Sequence, residues 1–96
     1  MTYSNFINSL QQHTVLPGLS LHLQSLWHDA KGHWEEAHAL IQDEEDHFSA
    51  RIHAYLHRKE GDRFNADYWY QRAGTRRPDI SLEEEWEVLV KTLLPE

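Results

Sequence analysis

The four glycines and three prolines of this 96-residue chain lie at the ends of segments whose apolar residues recur at helical spacing. β-branched residues are few, and no segment keeps the two-residue alternation of apolar and polar side chains that is typical of a strand. Glycine and proline at such intervals indicate the ends of helices. The pattern therefore predicts an all-α fold that forms one domain over residues 1–96.

Six helices are predicted from the apolar positions and from the residues able to cap them. Their expected ranges are 4–12, 19–31, 33–43, 46–61, 62–74 and 81–95. Asp46 and Asp62 are expected N-caps, because a carboxylate accepts a hydrogen bond from an otherwise unpaired backbone N–H group. Ser81 and Glu84 have the spacing of a capping box, in which the serine and the glutamate bond each other's backbone N–H groups.

Residues 20–45 resemble residues 49–74 at a constant offset of 29. The identical pairs are Ser20 and Ser49, His28 and His57, Gly32 and Gly61, Ala37 and Ala66, and Gln42 and Gln71. The glycines fall at predicted turns, and the alanines follow within the next helix, where small side chains let two antiparallel helices approach. The repeat predicts two stacked antiparallel helical hairpins, flanked by an N-terminal helix and a C-terminal capping helix.

The second hairpin resembles a tetratricopeptide-type helical repeat. The matching residues are Gly61, Asp62, Ala66, Ala73 and Pro78. The first hairpin departs from that pattern at Glu44, where the family has an alanine, and His28 and His57 stand where it usually has an aromatic residue. The offset is also shorter than the family's usual repeat of about 34 residues. Residues 53–74 further resemble a family of small uncharacterised microbial proteins, which implies no activity.

Composition excludes several classes of protein. Nine lysines and arginines against sixteen acidic residues leave a net charge of −7, which argues against binding to nucleic acid. The absence of cysteine excludes disulfides, thiolate metal ligands and a cysteine nucleophile. No apolar run approaches the roughly 20 residues of a membrane helix, and residues 1–6 lack the features of a signal peptide. We therefore expect a cytoplasmic protein that binds no membrane.

Five residues form the candidate ligand-binding set, namely His53, His57, Glu60, Tyr70 and Arg72. Imidazoles four residues apart project from one face of a helix and can share a divalent ion, with Glu60 as a third ligand. In the alternative interpretation, His57 packs in place of the usual aromatic ring and Glu60 pairs with a nearby arginine. The second interpretation is preferred, because eight histidines produce such pairs by chance, and the sequence predicts no bound metal or other cofactor.

Three consecutive aromatic residues lie in the fifth predicted helix, namely Tyr68, Trp69 and Tyr70. Successive helical positions are about 100° apart, so the three rings cannot all face one core. We expect Trp69 and Tyr70 to fill the core. The alternative is an aromatic surface for a ligand or a peptide.

The most basic segment of the chain contains Arg72, Arg76 and Arg77. Two roles are open for these residues. They can interact with the carbonyl groups at the end of the fifth helix and with the acidic residues 83–85, or they can bind a carboxylate or a phosphate.

The chain has no nucleophile elbow, P-loop or dinucleotide fingerprint. The leading hypothesis is a non-enzymatic interaction module that binds a protein or a peptide through the groove of the hairpins. The alternative is a small-molecule-binding or enzymatic domain, with or without a metal, whose polar pocket contains His53, His57, Glu60 and Arg72. Repeat proteins usually need about three repeats, so we expect a homodimer or a closed globule. A weaker third hypothesis is a pH response of the histidines.

Overall fold

The computed structural model describes residues 1–94, and this part of the chain is helical without any strand. The helices are α1 Tyr3–Ser9, α2 Leu21–Ala30, α3 Trp34–Ile41, α4 His47–Lys59, α5 Arg63–Arg72 and α6 Leu82–Leu93. The predicted all-α class is confirmed. None of these helices is both long enough and apolar enough to cross a membrane. The stop predicted at Pro95 lies outside the described residues.

The predicted helix caps are confirmed. Asp46, Asp62 and Ser81 each accept a hydrogen bond from the backbone N–H three residues further along the chain. Ser81 and Glu84 form the complete capping box. Ser20 caps α2 in the same way, so this helix begins two residues later than its apolar residues predict. These side chains decide the helix starts because they bond N–H groups that have no partner within the helix.

The turn between α2 and α3 has the same hydrogen bonding as the turn between α4 and α5. Gly32 and Gly61 adopt φ angles of 83° and 88°. The residue after each glycine donates its backbone N–H to the carbonyl of His28 or His57, at 2.9 Å in both turns. This six-to-one bond is that of a Schellman motif. The 29-residue offset therefore recurs in the local structure, where α2 packs against α3, and α4 against α5.

Helix α6 lies against α2 and α4, the first helices of the two hairpins. Its Leu89 and Val90 are fully buried, and the Trp86 indole N–H donates to the carbonyl of Leu26 at 2.9 Å. Phe6 of α1 is also buried, with its ring centroid 6.0 Å from that of Trp86. The chain thus covers the α2–α4 side of its hairpins with its own residues. Helix α4 also packs against α3 and α5 on another side.

A buried carboxylate connects α6 to the second hairpin through hydrogen bonds. Glu85 is only 1% exposed, and its two oxygens accept hydrogen bonds from Arg58 at 2.7 Å and from the Tyr70 hydroxyl at 2.6 Å. A buried charge is tolerated only when it is paired and hydrogen-bonded. The sequence suggests an ordinary helix-start charge at this position, whereas the fold uses it as an interior contact between α4, α5 and α6.

Candidate metal centre

Three histidines from two helices converge where α3 packs against α4. His38 belongs to α3, and His53 and His57 lie one turn apart in α4. One imidazole nitrogen of each lies within 4.8 Å of the other two, and the Nε2 atoms of His38 and His53 are 2.9 Å apart. Nitrogens around a tetrahedral ion bound at 2.0–2.1 Å are about 3.3 Å apart. Small side-chain rotations would therefore let one ion contact all three rings.

Two indole rings hold these imidazoles in place. The Trp69 ring is stacked on His53, with centroids 3.9 Å apart and planes at 17°. The Trp34 ring is stacked on His38, with centroids 4.9 Å apart and planes at 10°. The guanidinium of Arg72 lies over the Trp69 ring, 5.2 Å from its centroid. The histidines are thus set between flat aromatic surfaces contributed by α3 and α5.

Glu60 orients the third histidine. Its Oε1 lies 2.5 Å from Nδ1 of His57, one helical turn earlier. A ring that donates its Nδ1 hydrogen to a carboxylate keeps the lone pair of Nε2 for a metal, and this arrangement is common around protein-bound metals. The prediction that Glu60 pairs with an arginine is therefore wrong, because its partner is His57.

Electrostatics keep two of the rings uncharged. Burial, followed by the neighbouring His38 and His57, lowers the pKa of His53 to about 3. Burial, followed by His57, also lowers the pKa of His38. Both rings are consequently neutral at pH 7, and the neutral imidazole is the form that coordinates a metal.

Three of the five predicted ligand-binding residues lie together, namely His53, His57 and Glu60. Arg72 lies at the edge of this group, above Trp69. Tyr70 points elsewhere, because its hydroxyl bonds Glu85 in the interior. It fills the core as expected, whereas Trp69 is only partly buried.

Sequence reasoning missed His38. In the sequence it stands four residues after Trp34 and has no histidine at the i+4 spacing that draws attention to His53 and His57. Its partner His53 lies 15 residues further along, in the next hairpin. The available signal was the predicted stacking of the two hairpins, which brings side chains of different hairpins to one interface.

Taken together, these side chains offer three imidazole nitrogens and leave the remaining coordination positions of an ion open. Imidazole ligands suit Zn²⁺, Co²⁺, Ni²⁺ and Cu²⁺, whereas Mg²⁺ and Ca²⁺ prefer oxygen. The resemblances of the second hairpin and of residues 53–74 to known families stay predictions. No protein-family model matches this chain, and it has no significant match among curated proteins or solved structures.

Proposed function

We propose that this protein binds a divalent transition-metal ion through His38, His53 and His57, with Glu60 as the carboxylate that orients His57. The observation that carries the proposal is the approach of the His38 and His53 Nε2 atoms to 2.9 Å across two helices, with the third ring beside them. This proposal develops the alternative hypothesis of a domain with a polar pocket, in the form in which the pocket binds a metal. The proposed site adds His38 to that pocket and leaves out Arg72, and Tyr70 of the five candidate residues does not belong to it either.

Such an ion links the two hairpins, because one ligand belongs to α3 and two belong to α4. A ligand that binds only the folded state adds about 2.7 kcal/mol to the free energy of unfolding when its concentration is 100 times its Kd. Metal binding is therefore expected to raise the melting temperature.

The test is calorimetric titration of the metal-free chain with Zn²⁺ and Ni²⁺, together with thermal unfolding. We expect one ion per chain. His38→Ala and His57→Ala should weaken binding by at least about 100-fold, and Glu60→Gln by about 10- to 100-fold. His13→Ala is the matched control, because it removes an exposed histidine outside the cluster and should change nothing.

A second group of possible ligands, formed by His28, His33 and Glu36 in the first hairpin, supplies a further control. His33→Ala should leave binding intact. If it abolishes binding while His38→Ala does not, the proposed site is wrong. The absence of any binding to the unaltered chain would overturn the metal proposal altogether.

The interaction module is the second candidate, and the outer face of α5 favours it. Phe64 is 85% exposed and Tyr68 is 47% exposed, and their four-residue spacing aligns them with Arg72 on one face of the helix. We propose a second copy of this chain as the occupant of this face. Each copy also carries the acidic segment 43–45, but its Glu45 already interacts with Arg72 of the same chain, so the exposed rings of Phe64 and Tyr68 carry this proposal. The groove along α2 and α4 is less suited to a partner, because α6 packs there.

Sedimentation of the unaltered chain and of a Phe64→Ser, Tyr68→Ser variant tests this second candidate. We expect a concentration-dependent dimer that the double variant converts to a monomer with an unchanged circular dichroism spectrum. A monomer at every concentration, or a dimer that survives both substitutions, would rule out this face as the homodimer contact.

A further inference from the structure

A cleft of about 580 Å³ lies between the turn that joins α4 to α5 and the segment that leads into α6. Three arginines line it, namely Arg58, Arg63 and Arg77, together with the single carboxylate of Asp79. The lining thus contains three guanidinium groups, although the whole chain carries a net charge of −7, and two of these groups pair with carboxylates outside the lining. This cleft shares no residue with the histidine cluster, so a ligand could bind in it whether or not a metal is bound.

Each arginine has N–H groups to spare. Arg58 donates to Glu85 and to the carbonyl of Ile80 and also contacts the Tyr70 hydroxyl, which leaves only part of its five N–H groups unused. Arg77 has its Nε 3.6 Å from Asp67, which leaves both of its terminal nitrogens open. Arg63 makes no side-chain hydrogen bond or ion pair within residues 1–94.

The basic residues are therefore not grouped as the sequence suggests. Arg72 lies over the rings of Tyr68 and Trp69, on the side of α5 that carries the exposed aromatics. Arg77 instead lines this cleft, together with two arginines that lie 14 and 19 residues earlier in the chain, and it also lines the neighbouring cleft that contains Asp67. Two of the three already have a carboxylate partner outside the lining, since Glu85 pairs with Arg58 and Asp67 with Arg77, whereas Arg63 has none among residues 1–94. A bound anion would therefore meet Arg63 and the N–H groups that the other two arginines leave unused.

We propose that this cleft binds a small phosphorylated compound, whose phosphate oxygens accept hydrogen bonds from Arg58, Arg63 and Arg77. Guanidinium groups bond phosphate oxygens in pairs, and a phosphate offers more oxygens and more negative charge than a single carboxylate does. The bonds of Arg58 to Glu85 and Ile80 hold one donor in position before the ligand arrives, which reduces the entropy lost on binding. Pro78 and Leu82 form an apolar wall for the rest of the ligand.

The test is a titration of the metal-free chain, prepared by dialysis, with inorganic pyrophosphate, followed by calorimetry and by backbone amide NMR shifts. We expect saturable binding at millimolar concentration or below, with shifts at residues 58–63 and 77–82. A double variant, Arg63→Gln with Arg77→Gln, should weaken binding by at least about tenfold. Arg58 is left unchanged, because its removal would strand the buried Glu85 and compromise folding.

The control is Arg51→Gln, which removes an arginine of α4 that does not line the cleft. It should change the affinity less than twofold, because it lowers the charge of the chain without touching the site. If Arg51→Gln lost as much affinity for pyrophosphate as the double variant, the loss would reflect the overall charge of the chain, and the proposal would be overturned. Absence of pyrophosphate binding, or binding of citrate in preference to pyrophosphate, would also overturn it.

Discussion

The Nε2 atoms of His38 and His53 face each other at 2.9 Å across the contact between α3 and α4. Only one of the two nitrogens can carry the hydrogen between them, so one ring donates and the other accepts. In the metal-free chain this hydrogen bond joins the two hairpins. A bound ion would replace it, and because both rings are already neutral, the hydrogen between them would move to Nδ1 of its own ring without any net release of a proton.

Tryptophan fluorescence should report metal binding directly. Trp69 and Trp34 are stacked on His53 and His38, whereas Trp86 lies against α2 on the other side of α4. We expect Cu²⁺ to quench the emission of the unaltered chain in proportion to the sites filled. Most of the quenching should disappear when Trp69 and Trp34 are both replaced by phenylalanine. Trp86→Phe is the control, and an equal loss there would show that quenching does not arise at the histidines.

Removal of the buried carboxylate should destabilise the fold strongly. Glu85→Ala leaves the guanidinium of Arg58 and the hydroxyl of Tyr70 without their shared acceptor. The Arg58 side chain is 20% exposed, so in the variant water can hydrogen-bond part of its guanidinium group. We therefore expect a loss of about 3 kcal/mol in the free energy of unfolding. Tyr70→Phe should cost about 1 kcal/mol. Urea denaturation measures both, and Glu83→Gln, an exposed change in the same turn, should stay within about 0.5 kcal/mol.

The two hairpin turns should respond equally to alanine. Gly32 and Gly61 both adopt positive φ angles, and an added Cβ would meet no atom within 4 Å at either position. The expected cost is therefore that of the left-handed backbone alone, about 1 kcal/mol for Gly32→Ala and for Gly61→Ala. Thermal or urea unfolding of the two variants compares them. Costs that differ by more than about 1 kcal/mol would contradict the equivalence of the turns.

Asp46 should contribute to the loss of stability in acid. Partial burial opposes ionisation, but hydrogen bonds from the side chain and backbone of Ser49 and from His22 lower the pKa of Asp46 to about 2. Because this value lies below that of the unfolded chain, the stabilisation is complete above about pH 5 and is lost as the pH falls toward 2. The side chain is 48% exposed, so we expect about 1 kcal/mol at pH 7.

Urea unfolding between pH 2 and pH 7 compares the unaltered chain with Asp46→Ala and Asp46→Asn. The alanine variant should be less stable at pH 7 and should lose less stability on acidification. The asparagine variant keeps an oxygen that can cap α4, so it should lie between the two at pH 7. An unchanged slope below pH 5 in both variants would show that another carboxylate accounts for the acid sensitivity.

Local interactions made much of the fold predictable. Asp46, Asp62 and Ser81 cap their helices as expected, because each cap bonds a backbone N–H only three residues away. The turns at Gly32 and Gly61 were predictable for the same reason. The C-terminal ends of helices were placed less well: α1 was predicted to reach residue 12 and ends at Ser9, and α3 was predicted to reach residue 43 and ends at Ile41.

The candidate site was predictable only in part. The amino-acid sequence by itself determined that His53, His57 and Glu60 lie along one face of a helix and its end, because helical periodicity follows from the backbone alone. Only the tertiary structure decided that His38 joins them and that Tyr70 turns away toward Glu85. Meetings between helices depend on how far each helix is rotated and where it crosses its neighbours. The whole core sets those quantities together, and no spacing along the chain records them.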